Sequence, residues 1–400
     1  MLGFDEARSL LLAGARRVSS ERVALGDAWG RVLMEDLVAP EPLPPFDQGA
    51  MDGYAVASAD LDGDGPWTLP VVGVSRAGHE APPLSPRTAC RIFTGARVPE
   101  GADSVIMQEH GTRDGDALRF TARPKLRQHV RRAGEDLKRG AVAVASGTRL
   151  TPGALALAAM QDRAEIVVAR RPRVTIVCTG DELRAPGGER FAASIPESNS
   201  APLAAFARQA GASVRIAPLV RDDPGETQRA IEQALDGTDV LLTVGGVSVG
   251  DHDVVRPSLE RAGVLLDFWK VAIKPGKPLA VGRSAGVHVL GLPGNPASAL
   301  VTFVVFGMPL LRAMQGDTRP VAMRLVARLA SARKRSPDRL ELARATLRAE
   351  GDALVVHFHD NQASAAATSL ADSDGIALVP PGDGSLEAGA FVSYLRWNDA

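Results

Sequence analysis

Four hundred residues exceed what one hydrophobic core organises, so the chain divides into two to four domains. A formal net charge of −1 lacks the basic excess of a dedicated nucleic-acid binder, so any anion must be held by local clusters. Aromatic residues are only 4% of a chain that is 45% hydrophobic, and the cores must therefore be built from Ala, Val and Leu. Cys90 and Cys178 offer neither metal-ligand spacing nor a disulfide framework, which suits a reducing cytoplasm. Asp5 and Glu6 stand where a signal peptide would carry its apolar region. The longest apolar stretch, 296–311, is interrupted by Ser298 and Thr302 and is shorter than the ~20 residues of a membrane span, so it reads as a buried helix packed on a sheet.

In chain order, Phe4, Ala7, Leu10, Leu11 and Ala15 recur at helical spacing and predict a helix over 4–17. A second helix is expected around 25–32. Pro40, Pro42, Pro44 and Pro45 then enforce an extended, stiff segment suited to a hinge. Asp52-Gly53 is a tight-turn signal ahead of a strand at 54–56. Residues 66–142 read as short strands broken by Gly and Pro, a mostly β unit. Within it Thr94 and Gly95 fall at a strand end, and Arg131 with Arg132 forms a basic pair on a polar loop, either solvated surface or an anion clamp. Thr151 and Pro152 cap a helix that should pack back on the N-terminal helices, leaving the β unit as an insertion.

From Arg173 strands and helices alternate regularly: strand 174–178, helix 200–210, strand 213–217, helix 224–235, strand 240–244, helix 254–261. That alternation implies right-handed crossovers and a doubly wound, mostly parallel sheet. Val240 to Val244 is a β-rich apolar run of the kind buried on both faces. It stops at Gly245 and Gly246. Gly250 follows, with Ser248 between and Asp251 and Asp253 just beyond. Glycines at a strand end let backbone N–H groups approach an anion, and carboxylates there can hold a hard cation such as Mg²⁺. The same rim of such a sheet collects its other loops: 179–182 with Glu182, then Asp222 and Asp223. Lys274 and Lys277 flank a Pro-Gly turn and can neutralise a polyanion. Gly294 and Asn295 lead into a helix N-terminus, again favourable to anions.

Residues 321–400 are strand-rich and suggest a small barrel or sandwich, entered through a basic connector at 333–335. His357 and His359 have the spacing of a metal pair on one strand face. With Asp360 as the sole nearby third ligand, an exposed pair is the better reading.

Taken together, Pro44-Pro45-Phe46-Asp47, Ala50-Met51-Asp52-Gly53-Tyr54-Ala55, Thr94-Gly95, Gly134-Glu135-Asp136 and Thr179-Gly180-Asp181-Glu182-Leu183 form an ordered series. The series continues through Ser198-Asn199, the glycine-rich stretch 245–253, Lys274-Pro275-Gly276-Lys277-Pro278 and Gly291-Leu292-Pro293-Gly294-Asn295-Pro296. In this order and spacing, over nearly the whole chain, the sequence resembles the molybdopterin molybdenumtransferase family, which includes the C-terminal domain of gephyrin. The chain departs from the pattern at Gln48-Gly49, and at Ala363 and Ala365, where glycine is more usual.

The resemblance implies a multidomain α/β and β fold. Its parts would be a discontinuous helical and extended dimerisation domain (1–44 plus 143–171), an inserted β-rich domain (45–142), a central doubly wound, mostly parallel α/β molybdopterin-binding domain (172–319) and a C-terminal β-barrel-like domain (320–400). It implies a cytoplasmic homodimer that inserts molybdate into adenylylated molybdopterin with Mg²⁺-dependent release of AMP and hands the cofactor on to other enzymes. No nucleic acid or membrane partner is implied. By the same resemblance Asp52, Thr94, Asp136, Glu182, Asp222, Asp253, Lys274 and Lys277 occupy functional positions, and Pro278, Ser298, Arg344 and Ser364 line the molybdate site. Asp251, Asp253 and Glu182 are the expected metal ligands, and Gly245, Gly246, Ser248, Gly250, Gly294 and Asn295 the expected substrate-binding loops. Adenylylation of molybdopterin, performed by a related α/β domain, a non-catalytic scaffold role such as gephyrin also has, and insertion of tungstate, an oxyanion of nearly the same size as molybdate, stand as alternatives.

Overall fold

The computed structural model describes residues 1–246 and 254–399. Its centre is a six-stranded sheet in the order Ser213–Ile216, Arg173–Cys178, Val240–Val244, Val287–Leu292, Ala280–Ser284, Leu265–Trp269. The first four strands are mutually parallel; Ala280–Ser284 runs against them, and the edge strand Leu265–Trp269 pairs antiparallel with it. Alternating side chains feed two cores. Val174, Ile176 and Cys178 join Leu203, Ala207 and Phe306 on one face, while Val177 and Leu241 join Ile231 and Leu259 on the other. Val240–Val244 is buried at all five positions, as a strand covered on both faces must be.

The apolar stretch near 300 forms one continuous helical rod, Pro296–Thr302, a π-turn Phe303–Gly307, then Met308–Met314. It is long and apolar enough to cross a bilayer, but 89% of its most apolar window is buried inside the protein, so it is a core helix. A Cβ on Gly307 would lie 2.2 Å from the Phe303 ring, which explains a glycine in the middle of the rod.

The N-terminal helix is shorter than its periodicity predicts, Phe4–Ala13, and ends at Gly14. Its apolar stripe, Phe4, Ala7 and Leu11, packs on the α/β core, with the Phe4 and Phe306 rings edge to face at 5.4 Å. It does not pack with the Pro152–Met160 helix, which sits instead on Leu25–Asp27 and Val142–Val144. The helix expected around 25–32 is a single 3₁₀ turn, Leu25–Asp27. Gly30 adopts φ +72° there, and its amide is drawn away to the Leu150 carbonyl at 3.0 Å, so helical bonding stops.

An extended unit follows, tied by antiparallel pairing of Ser20–Ala24 with Glu165–Ala169 and of Leu37–Val38 with Val142–Val144. Between Val38 and Val142 the chain leaves and returns through those adjoining strands. There it builds a second six-stranded sheet in the order Ser104–Met107, Gly53–Val56, Ala89–Ile92, Trp67–Ser75, Ala117–Phe120, Gly111–Asp114. Beyond residue 320, Leu340–Glu350, Ala353–Phe358, Leu325–Leu329, Phe391–Arg396 and Gly375–Val379 pair in turn. The last returns to Leu340–Glu350, closing a five-stranded barrel. Ile273–Lys274, from the α/β unit, adds alongside Leu340 and Glu341.

Candidate active site

Register sets the site. Cys178 is opposite Val244, and Val244 opposite Leu292, so three parallel strands end level and their loops emerge side by side. They open into a cavity of about 570 Å³ lined by Thr179, Glu182, Asp222, Gly245, Gly246, Pro278, Gly294 and Asn295, among others. This is the carboxyl rim, where ligands of open α/β sheets bind. Gly245 has φ +97°, and a Cβ there would lie 2.7 Å from the Thr179 carbonyl oxygen. The Gly294 loop lies alongside, since a Cβ on Gly294 would be in van der Waals contact, 3.5 Å, with the Gly245 Cα. The Gly245 loop therefore lies against the backbone of both of its neighbours on the rim.

A buried carboxylate organises the third side. Glu197 accepts hydrogen bonds from the Ser200 amide at 2.9 Å, the Ser200 hydroxyl at 2.5 Å and the Asn199 amide at 2.5 Å, ahead of helix Ser200–Gln209. Asn199 in turn donates to the Gly294 carbonyl at 2.9 Å. Burial, and then the adjacent Glu197 charge, push the Cys178 thiol far above its ordinary range, so it is an inert wall of the cavity.

The barrel contributes the fourth side through the loop carrying Ser364. The Asn295 side chain donates to Ser364 Oγ at 3.0 Å, and the Ala297 amide donates to the Ser364 carbonyl at 3.1 Å, inside the first turn of helix Pro296–Thr302. Arg344 is fully buried on its barrel strand and fastens that loop from below. Its Nε donates to Ser369 Oγ at 2.9 Å and one Nη to the Ala363 and Asn361 carbonyls at 2.8 and 3.3 Å. Arg344 therefore holds the Ser364 loop. Ser298 is buried, 4% exposed, in the first turn of the Pro296–Thr302 helix. Of the expected molybdate residues, Pro278 lines the cavity directly, and Ser364 reaches its edge through Asn295.

Lys274 and Lys277 sit at the junction with the barrel, both exposed. Lys274 Nζ is 3.6 Å from Glu341 Oε1. The Lys277 carbonyl accepts from the Val271 and Leu279 amides at 3.0 and 3.1 Å, which closes the turn between the lysines.

Three expected residues belong to the β unit and do not line this cavity. Asp52 Oδ1 accepts from both the Thr94 amide and the Thr94 hydroxyl at 2.8 Å. Those two hydrogen bonds hold the Asp52 carboxyl below the usual carboxylate range, with Arg91 adding a smaller pull. Asp136 lies on the neighbouring bend, its amide donating to the Leu43 carbonyl at 3.0 Å. Arg131 is bound to Glu135 at 3.3 Å.

Ser248, Gly250, Asp251 and Asp253 lie outside the described residues. Among the described residues no group of three or more His, Cys, Asp and Glu could hold a metal ion. Glu182 and Asp222 line one cavity and are hard oxygen donors of the kind Mg²⁺ takes. His357 and His359 form no pair: each is half-buried against its own acid, Glu350 at 2.7 Å and Asp372 at 3.5 Å. Glu197 and Glu341 carry no sequence signal of a role. A lone Glu in a polar run reads as surface until the fold buries it.

Glycine-lined strand ends, a helix N-terminus and two carboxylates around one cavity define a multidomain α/β protein suited to an anionic substrate. Three family models match the chain in order: "MoeA N-terminal region (domain I and II)" over residues 2–161, "Probable molybdopterin binding domain" over 175–313, and "MoeA C-terminal region (domain IV)" over 326–397. The molybdopterin molybdenumtransferase of Haemophilus influenzae is 40% identical over 79% of this chain and 78% of its own length. That of Synechococcus elongatus is 37% identical over 98% of both. Among solved structures, a molybdopterin biosynthesis MoeA protein from Pyrococcus horikoshii OT3 superimposes with a TM-score of 0.86 at 27% identity, covering 98% of this chain and 99% of that one. The chain belongs to the molybdopterin molybdenumtransferase family.

Proposed function

We propose that this protein, a transferase of molybdenum-cofactor biosynthesis, inserts molybdate into adenylylated molybdopterin and releases AMP. The observation that carries the reading is the level end of three parallel strands at Cys178, Val244 and Leu292, opening into one cavity with Gly245, Gly246, Gly294, Glu182 and Asp222 on its wall. A pyrophosphate suits glycine-rich backbone and a helix N-terminus. Lys274 and Lys277 at the barrel junction supply positive charge as the P–O bond breaks. Mg²⁺ would be held by Glu182 and Asp222, with Asp251 and Asp253 as further ligands, and would supply charge neutralisation on the phosphate oxygens. Pro278, Ser364 and, through its grip on the loop, Arg344 are the molybdate side.

Assembly completes the reading. Helix Pro152–Met160 has no polar side chain, yet only Ala158 is buried. Met160 is 63% exposed and Trp29, close by in sequence to the turn it rests on, is 71% exposed. An all-apolar helix belongs inside an interface, and we assign that face to a second copy. The Asp52–Thr94 edge, which misses its own cavity, then serves the partner's. A four-domain division at 1–44 plus 143–171, 45–142, 172–319 and 320–400, a cytoplasmic setting, and handover of the product to acceptor enzymes belong to the same proposal.

The test is AMP release from adenylylated molybdopterin with and without Mg²⁺ and molybdate. Molybdate-stimulated, Mg²⁺-dependent release is expected, with metal on the dithiolene. AMP joined to molybdopterin on supply of ATP would replace the reading with adenylylation. Tungstate in parallel reactions measures the choice of oxyanion.

A further inference from the structure

Glu341 is a buried carboxylate, 3% exposed, on the barrel strand Leu340–Glu350. Arg333 grips it with a two-pronged pair, Nη2 to Oε1 at 2.7 Å and Nε to Oε2 at 3.2 Å. The same guanidinium lies over the Phe358 ring, 4.7 Å from its centre, and is fixed from a second direction. One cation at this geometry neutralises the carboxylate and satisfies both of its oxygens. A second cation is nevertheless present. Lys274 is directly opposite Glu341 in a parallel ladder, and the Leu340 amide donates to the Ala272 carbonyl at 2.9 Å to hold that register. Its Nζ stands 3.6 Å from Glu341 Oε1, outside hydrogen-bonding distance, and the lysine side chain is 51% exposed against 4% for the glutamate.

We propose that Glu341 is the positioning residue for Lys274, and that Arg333 is the permanent counter-ion that lets the lysine leave. The proposal rests on the reading above that Lys274 serves the reaction. The ammonium is drawn to Oε1, the negative end of the Arg333–Glu341 pair, and that weak tether is weakened further by water on its open side. Because Arg333 keeps Glu341 neutralised, moving Nζ onto a substrate phosphate strands no buried charge. A lysine paired to a carboxylate with no other partner would have to abandon a buried anion. Pro278, four residues further on, lines the cavity, so the ladder with the barrel fixes Lys274 on a segment that leads into the site.

The test is a double-mutant cycle in the full-length protein, with Lys274→Met, Glu341→Gln and both together. The readout is steady-state formation of molybdenum cofactor from adenylylated molybdopterin and molybdate. Glu341→Gln should lower kcat about tenfold, below the roughly hundredfold that a full 1 Å misplacement can cost, with KM little changed. In the Lys274→Met background the same change should cost less than twofold. Equal losses in both backgrounds, or no loss in Glu341→Gln alone, would overturn the proposal, because a purely structural carboxylate acts regardless of the lysine. Wild-type activity in Lys274→Met would remove the lysine from the chemistry and take the proposal with it, an outcome distinct from equal losses. If Glu341→Gln does not fold with Arg333 left unpaired, the paired change Arg333→Gln/Glu341→Gln, which replaces the ion pair by two amides, takes the place of Glu341→Gln in the cycle, with the same outcomes.

Discussion

Thr94 spends both of its donors, the backbone amide and the hydroxyl, on a single oxygen of Asp52, each at 2.8 Å. The carboxylate is only partly buried, yet it is fixed in direction and held ionised below its ordinary range. Thr94→Val removes the hydroxyl and keeps the amide, so the Asp52 pKa should rise part of the way back towards an ordinary aspartate. The acid limb of the rate profile should then move to higher pH, because the ionised form is lost earlier as pH falls. Carboxyl NMR titration of the variant checks the shift, and an unchanged Asp52 titration would exclude the hydroxyl as its cause.

Asp239 sits at the start of the central strand and binds Arg170 bidentately at 2.6 and 2.8 Å, and the Arg173 amide at 2.7 Å. Burial alone would raise its pKa, but the arginine and amide hydrogen bonds outweigh it and bring the value to about 2, from 3.8. The folded pKa lies below the unfolded one, so the stabilisation is complete above about pH 4 and is lost as pH falls towards 2. With screening at the open edge it is worth about 1–2 kcal/mol. Asp239→Asn should be less stable than wild type at pH 7, and the gap should narrow to roughly half by pH 3. Urea melts at pH 7 and pH 3 measure it.

Gly245→Ala tests the packing of the rim loops. The added methyl would meet the Thr179 carbonyl at 2.7 Å on a backbone at φ +97°. The variant should lose about 1–3 kcal/mol and bind AMP and pyrophosphate more weakly. Calorimetric titration beside a thermal melt separates the two effects.

Arg344→Met keeps an unbranched apolar stem and removes the donors that hold Ser369, Ala363 and Asn361. A loss of about 3 kcal/mol is expected, the scale of several charge-assisted bonds less the relief of an unburied charge. The loop carrying Ser364 should also exchange its amide hydrogens faster, with molybdate KM rising. Exchange confined to regions away from 361–366 would remove Arg344 as the loop's anchor.

Ala156→Asp places a charge on the exposed face of the apolar helix without touching the buried Ala158. If that face joins two copies, the variant should sediment as a monomer, retain its melting cooperativity and lose turnover, since Asp52 could no longer reach a partner's cavity. Dimeric sedimentation would move the interface elsewhere.

Much of this protein was legible residue by residue. Val240 to Val244 could be read as a doubly buried strand because an uninterrupted β-branched and Leu run has few other uses, and Thr151-Pro152 announced a helix start that the Thr151 hydroxyl does cap, from the Ala154 amide. Local signals misled where a competing long-range bond won. Leu25 to Val32 had a helical look, but the Gly30 amide goes to Leu150 and the Leu33 amide to Thr148, so the segment is consumed by strand-like bridges. Periodicity gave the N-terminal helix its apolar stripe but not its partner, because any complementary apolar surface would serve and only the fold offers Phe306.

The sequence by itself determined the sheet, its glycine-ended strands and the family, because strand burial, turn chemistry and motif order are local properties of the chain. Only the tertiary structure decided that Arg344 is a buried clamp, that Asp52 misses its own cavity, and that Lys274 faces a carboxylate already claimed by Arg333. Each depends on which distant backbone lies alongside, and a charged side chain's role follows from how far its neighbours exclude water, which no stretch of sequence carries alone.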